Sequence, residues 1–140
     1  MNVLIINGPN LNLLGTREPD IYGTTTLSAL DAMCVDWGSE LGLSVSTFQS
    51  NHEGAIIDRI QAHDADGIVI NAGALTHYSY AIYDALVAAG LPTVEVHISD
   101  IHEREDWRHN SVLQPACLAQ ITGEGPNGYR RALEILAEGI

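Results

Sequence analysis

The chain opens on a continuous apolar run, Val3-Leu4-Ile5-Ile6, which is followed at once by Asn7-Gly8-Pro9-Asn10. An apolar run without polar alternation, ended by turn-forming residues, predicts a short strand that is buried on both faces. A strand is buried in this way when helices cover both sides of a parallel sheet. The beginning of the chain therefore predicts an α/β protein.

The same pattern recurs along the chain, with apolar runs rich in β-branched residues at a spacing of about 25 residues. The runs predict strands over 3–6, 44–49, 67–70, 93–97 and 118–122, and helical periodicity covers 27–41, 55–63, 80–89 and 129–138. Right-handed crossovers then give a doubly wound five-stranded parallel sheet, for which 2-1-3-4-5 is the commonest order. Because no linker, repeat or low-complexity tract interrupts the 140 residues, we expect one domain, residues 1–140.

Composition excludes several classes of function. A formal net charge of -12 makes binding to a nucleic-acid backbone very unfavourable. All six basic residues are arginine, which excludes a Schiff base on a lysine. The histidines lack metal-ligand spacing, and Cys34 and Cys117 sit in apolar surroundings without a CxxC motif, so we expect no metal and reduced thiols. Without a basic leader or 18 consecutive apolar residues, the chain is expected to be cytoplasmic and not bound to a membrane.

Polar residues gather after the strands, where ligands bind in doubly wound sheets. Strand 1 is followed by Asn10, Arg17 and Tyr22, strand 3 by Asn71 and His77, and strand 4 by His97, Arg104 and Arg108. The connection after strand 1 and the stretch 98–114 are longer than most loops in compact domains, which favours a functional role for both. The sequence therefore predicts a binding site for a small molecule at this edge of the sheet.

The first loop carries Arg17 and Tyr22, five positions apart. A phenol with its ordinary pKa of about 10 is a poor base at neutral pH, but a neighbouring guanidinium stabilises its charged form. The pair therefore suggests proton abstraction. The alternative is that the glycines and prolines of the loop are turn residues and that Arg17 with Glu18 is a solvated ion pair.

The end of strand 4 supplies a candidate acid. His97 can act as a general acid whose tautomer is fixed by a polar group such as Asn71, although both can equally be hydrogen-bonded core residues. Ile98 and Ser99 can donate hydrogen bonds to a carboxylate, and Arg108 can add a charged contact unless it lies on the surface. Asp84, in the middle of an apolar helix, is a candidate for contact with a partner subunit.

These motifs resemble those of the type II 3-dehydroquinate dehydratases, and the resemblance extends from Val3 to the last helix. It is carried by four separated stretches: Ile6 to Gly15 with Arg17-Glu18-Pro19 and Tyr22-Gly23; Gln49-Ser50-Asn51-His52-Glu53-Gly54; Asn71-Ala72-Gly73-Ala74 with Thr76-His77; and Glu95-Val96-His97-Ile98-Ser99 with Arg104 and Arg108. Agreement by chance across all four is negligible.

The resemblance implies a flavodoxin-like fold and the elimination of water from 3-dehydroquinate through an enolate, without a cofactor. It implies roles for the site residues: Tyr22 as the base, Arg17 as its activator, Asn10 as the holder of a water at the enolate, His97 as the acid, Asn71 as its orienting partner, and His77, Ile98, Ser99 and Arg108 as substrate ligands. It further implies a dodecamer built as a tetramer of trimers, with Asp84 reaching a neighbouring site. The same elimination serves aromatic amino-acid biosynthesis and quinate catabolism.

Three positions depart from the family pattern: Ala72, where proline is expected, Asp100, where asparagine is expected, and Trp107, where a phenylalanine-like residue is expected. Of these, Asp100 adds negative charge beside a site for a carboxylate and is expected to weaken substrate binding. Two other classes of protein share such a fold. An FMN or phosphate-binding module would need a phosphate loop after strand 1, and Pro9-Asn10-Leu11-Asn12-Leu13 lacks the density of serine, threonine and glycine for one. A receiver domain would need clustered aspartates and a lysine at the strand ends, and the chain has no lysine.

Overall fold

The computed structural model describes residues 1–16, 20 and 24–139, so the predicted base Tyr22 and its partner Arg17 lie outside the described residues. Five parallel strands form one sheet in the order β2-β1-β3-β4-β5, which confirms the predicted fold class. The strands are β1 (Asn2–Asn7), β2 (Ser44–Gln49), β3 (Gly67–Asn71), β4 (Thr93–His97) and β5 (Ala119–Thr122), and the described helices are α1 (Leu27–Glu40), α2 (Glu53–Gln61), α3 (Tyr80–Ala89) and α4 (Asn127–Gly139).

The central strand β1 divides its side chains between two cores. Successive residues of a strand point to opposite faces of the sheet. Val3 and Ile5 pack toward α1 and α4, whereas Leu4 and Ile6 pack toward α2 and α3. All four are fully buried, as the unbroken apolar run predicts. Burying such a side chain stabilises the fold by about 1.5–3 kcal/mol, so this strand anchors both layers.

Local capping chemistry accounts for some of the helix boundaries. The run Thr24-Thr25-Thr26 before the helical segment predicts a threonine cap, and the hydroxyl of Thr26 accepts a hydrogen bond from the amide of Ala29 at the start of α1. Gly90 ends α3 in the left-handed conformation that glycine adopts without strain. At α2 the segment Ser50-Asn51-His52-Glu53 predicts a cap by Ser50 or Asn51, and this prediction is wrong, because the N-cap position is His52, which makes no side-chain capping bond.

Two glycines let the loops after β1 and β3 approach each other. A Cβ atom on Gly8 would lie 2.5 Å from the carbonyl oxygen of Ala72, a distance that real contacts do not reach. Gly73 has a φ of +61°, and a Cβ atom there would lie 3.0 Å from the carbonyl oxygen of Pro9. Only glycine fits at both points. The strand ends that carry the polar residues are therefore packed directly against each other.

The long stretch between β4 and β5 is ordered into three short 3-10 turns, over Ile101–Glu103, Asp106–Arg108 and Gln114–Ala116. The carboxylate of Asp100 accepts a hydrogen bond from the amide of His102 and so caps the first of them. Cys34 is buried and Cys117 half-buried, both as free thiols. Within the described residues, no helix has the length and apolar character needed to cross a membrane.

Candidate active site

A cleft lies at the carboxyl edge of the sheet, between β1, β3 and β4. It contains about 610 Å³ of space between atoms, part of it open to solvent. Its walls come from three connections, and most of the residues predicted from the sequence are among them. The lining residues are Pro9, Asn10, Leu11, Asn71, Gly73, Ala74, His77, His97, Ile98, Ser99, Ile101, Arg104 and Arg108.

The ring of His97 is held by a buried carboxylate. Nε2 of His97 lies 2.5 Å from Oε2 of Glu95, and the two residues are 5% and 0% exposed. Glu95 also accepts hydrogen bonds from Ser111 Oγ at 2.9 Å and from Gln120 Nε2 at 3.2 Å. Because a carboxylate accepts, Nε2 of His97 carries a proton, and Nδ1 remains as the nitrogen that can exchange a proton in the cleft.

Asn71 is part of a different buried network. Its side-chain oxygen accepts from the amide of Gly73 at 3.2 Å, and its nitrogen donates to the hydroxyl of Tyr129 at 2.9 Å. Tyr129 in turn donates to Oδ1 of Asn7 at 2.6 Å. These bonds hold Asn71 as a wall of the cleft. The orienting contact of His97 comes from Glu95 in this structure, and orientation by Asn71 stays a prediction.

His77 and Arg108 line the cleft, and both contact the indole of Trp107. Nδ1 of His77 donates to the carbonyl of Asn110 at 2.7 Å, and burial lowers the pKa of this imidazole, which favours its neutral form. The indole of Trp107 meets the His77 ring edge-on at 5.3 Å between ring centres. The guanidinium of Arg108 stacks on the same indole at 4.0 Å, and its Nε pairs with Glu105. Trp107 therefore positions two residues of the wall.

Asn10 has a left-handed backbone, with φ 70° and ψ -4°. Among the described residues it is the one non-glycine with positive φ. Its amide donates to Oδ1 of Asn51 at 2.9 Å, and Gln49 donates to the same oxygen and to the carbonyl of Gly8, both at 3.2 Å. The loop after β2 therefore fixes the backbone that presents Asn10 to the cleft. Asn and Gly are the residues that tolerate this conformation best.

Asp84 lies apart from the cleft, exposed on α3. In the part of the chain that the structure describes, no group of three or more His, Cys, Asp or Glu side chains is arranged to hold a metal ion. The cleft thus offers an imidazole backed by a carboxylate, neutral hydrogen-bonding groups and two arginines. This set suits acid-base chemistry on an anionic, hydroxylated small molecule.

The family model for dehydroquinase class II matches residues 1–137. The chain belongs to this family. It is 56% identical over 138 residues to the catabolic 3-dehydroquinase 1 of Neosartorya fischeri, covering 97% of this chain and 92% of that protein. It is 55% identical over 139 residues to the 3-dehydroquinate dehydratase of Thermus thermophilus, covering 97% and 93%. The crystal structure of the type II dehydroquinase from Butyrivibrio crossotus superposes with a TM-score of 0.95, at 51% identity and 97% coverage of both chains.

Sequence reasoning about this dehydroquinase missed two buried groups, Glu95 and Tyr129. A signal for the first was present: Glu95 and His97 are two residues apart in a strand, so their side chains point to the same face. Tyr129 gave no local signal, since its partners Asn71 and Asn7 are 58 and 122 residues away in sequence. Both groups are fully buried and bond to residues of the cleft wall, Glu95 to His97 and Tyr129 to Asn71.

Proposed function

We propose that this protein is a type II 3-dehydroquinate dehydratase, which eliminates water from 3-dehydroquinate to give 3-dehydroshikimate. Membership of the dehydroquinase family supports this, as do the printed names of the relatives. The observation that carries the proposal is the cleft at the carboxyl edge of the sheet, in which His97, backed by Glu95, lies among hydroxyl, amide and guanidinium groups. The expected substrate is an anionic ring with hydroxyl groups.

The base in the proposed mechanism is Tyr22. As a phenolate stabilised by Arg17, it removes the proton next to the ketone, and negative charge collects on the carbonyl oxygen. A water held by Asn10 stabilises this enolate. Preorganised donors of this kind are worth a factor of roughly 100 to 1,000 in turnover. The left-handed backbone of Asn10, bonded to Asn51, supports such preorganisation.

The acid in the proposed mechanism is His97. It protonates the hydroxyl as it leaves, and Glu95 stabilises the imidazolium that supplies the proton. Asn71, His77 and the segment Ile98-Ser99 hold the hydroxyl and carboxylate groups of the substrate, and Arg108 adds a charged contact. A lysine imine has no place in this scheme, since the chain has no lysine.

A homo-oligomer, a dodecamer made of four trimers, is part of the same proposal. Asp84 lies on one face of α3 with Tyr80 and Val87, four and three residues away, and these two apolar side chains are 68% and 55% exposed. Such a face suits contact with a second subunit, in which Asp84 would reach the neighbouring site. Light scattering of the purified protein measures the oligomer directly.

The test is to mix the purified protein with 3-dehydroquinate and to follow the ultraviolet absorbance of the conjugated product. We expect the wild type to turn over substrate and the Tyr22→Phe variant to lose several orders of magnitude in kcat. The matched control Tyr83→Phe should keep wild-type turnover. An inactive wild type would refute the dehydratase function. Near-normal turnover in Tyr22→Phe would refute the proposed base alone.

A further inference from the structure

Tyr129 is the one fully buried tyrosine among the described residues, and the proposed reaction does not use it directly. Its hydroxyl lies between two asparagine side chains at the carboxyl ends of neighbouring strands, Asn7 on β1 and Asn71 on β3, which are 1% and 4% exposed. Burial raises the pKa of this phenol, so the hydroxyl keeps its proton and can both donate and accept. Of the three residues, Asn71 alone lines the cleft.

The hydrogen bonds of this network have a fixed direction. A backbone N–H always donates, so the amide of Gly73 requires the oxygen of Asn71 to face it, at 3.2 Å. The nitrogen of Asn71 then faces Tyr129 and donates to its oxygen at 2.9 Å. Tyr129 has one proton, which it donates to Asn7 Oδ1 at 2.6 Å. The chain of bonds therefore runs from Gly73 to Asn7 and ends on an acceptor.

We infer that Tyr129 is a positioning residue, which sets the orientation of the Asn71 amide and thereby which of its atoms can bond a substrate. The inference rests on the proposed function, in which Asn71 is a substrate ligand. If the Asn71 amide turned over, its nitrogen would face the Gly73 N–H and its oxygen would face the Tyr129 oxygen. Two buried bonds would be lost, which disfavours the reversed orientation of the amide.

Removal of the hydroxyl should therefore release Asn71 while leaving the ring of Tyr129 in the core. In Tyr129→Phe the Asn71 nitrogen loses its acceptor, and the two amide orientations become closer in energy. We expect kcat/KM for 3-dehydroquinate to fall by roughly 5- to 30-fold, mostly through a higher KM. The matched control is Leu136→Val, a fully buried change on the same helix that leaves the network intact, and it should alter kcat/KM less than about twofold.

A double-mutant cycle separates positioning from general destabilisation. If Tyr129 acts through Asn71, then Tyr129→Phe should have less than about a twofold effect on kcat/KM in an Asn71→Ala background. An equal loss in both backgrounds, or no loss in the folded single variant, overturns the inference. If Tyr129→Phe does not fold, Asn7→Ala removes the terminal acceptor and takes its place in the cycle.

A second measurement needs no turnover, which keeps this inference distinct from the dehydratase function. Hydrogen exchange of the Asn71 side-chain amide, followed by NMR, should be faster by roughly 5- to 30-fold in Tyr129→Phe than in the wild type or Leu136→Val. Unchanged exchange would overturn the inference even in an active enzyme. An inactive wild type with the expected exchange would refute the dehydratase function and leave the positioning role supported.

Discussion

Replacing Glu95 by glutamine should lower the turnover number sharply, because the structure leaves no good place for the new NH₂ group. The change preserves shape and removes one charge. In the wild type, Oε2 of Glu95 accepts from His97 and from Gln120, and Oε1 accepts from the hydroxyl of Ser111. All three partners donate, which suits a carboxylate and not an amide.

A glutamine at position 95 can be placed in two ways. With its nitrogen toward Ser111, it meets a hydroxyl oxygen that already accepts hydrogen bonds from the amides of Leu113 and Gln114. With its nitrogen toward His97, it requires Nε2 to accept, which moves the ring proton to Nδ1 and reverses the tautomer. Either placement also removes the negative charge that stabilises an imidazolium.

The size of the effect follows from the bond that is lost. A hydrogen bond to a charged group contributes about 1.5–3 kcal/mol, and each 1.36 kcal/mol is a factor of about ten in rate. We expect kcat on 3-dehydroquinate to fall roughly 10- to 150-fold. KM should change less than about threefold, since the cleft walls are formed by other residues. The assay is initial rate by absorbance, with circular dichroism to confirm folding.

The matched control is Gln120→Leu, which removes a neutral donor and keeps both the charge of Glu95 and its bond to His97. We expect this variant to retain kcat within about threefold, at a cost of about 0.5–1.5 kcal/mol in stability. A folded Glu95→Gln variant with a kcat within twofold of the wild type would refute the reasoning, because it would mean that the carboxylate does not assist the proposed acid, His97.

Three further outcomes are expected. Asn51→Ala should lower kcat by roughly 3- to 10-fold, because the backbone amide of Asn10 loses its acceptor. Asn51→Asp keeps this acceptor and should have a kcat near that of the wild type. Equal kcat values in the two variants would show that Asn51 does not position Asn10. Asp100→Asn keeps a capping oxygen and removes a charge, so KM should fall about two- to fivefold, and a higher KM would contradict the expected repulsion. Burial raises the pKa of Cys34 and of Cys117 to about 12, so at pH 8 both are almost wholly protonated and should react with a thiol reagent far more slowly than in denaturant.

Strand 1 and its neighbours were predictable because their signal is local. An apolar run needs burial on both faces whatever the rest of the chain does, and 2-1-3-4-5 is the commonest order for a doubly wound sheet of five strands. The polar residues after strands 3 and 4 then had to meet at one edge. For this reason eight residues predicted from the sequence line the cleft: Asn10, Asn71, His77, His97, Ile98, Ser99, Arg104 and Arg108.

The supporting residues depend on contacts between distant parts of the chain. Charged side chains are seldom fully buried, so Glu95 is expected at the surface until its donors are known, and these come from 16 and 25 residues further along. The side chain of Asn51, at the start of a helix, also takes a distant partner in place of a local one. Its local pattern predicts a cap, but its oxygen accepts from Asn10, 41 residues away, because β1 and β2 are paired in the sheet.

Charge placement explains how so acidic a chain can attract an acid. Of the arginines in the described residues, Arg130 and Arg131 pair with carboxylates on exposed surface, whereas Arg104 and Arg108 line the cleft. Arg108 uses Nε to bond Glu105 and one face to stack on Trp107, so its plane is fixed and its remaining N–H groups keep a defined direction. Repulsion from distant carboxylates is screened by salt within about 10 Å, while a contact inside the cleft is screened much less. Arg104 and Arg108 therefore place positive charge at the point where the proposed substrate binds, in a chain whose net charge is -12.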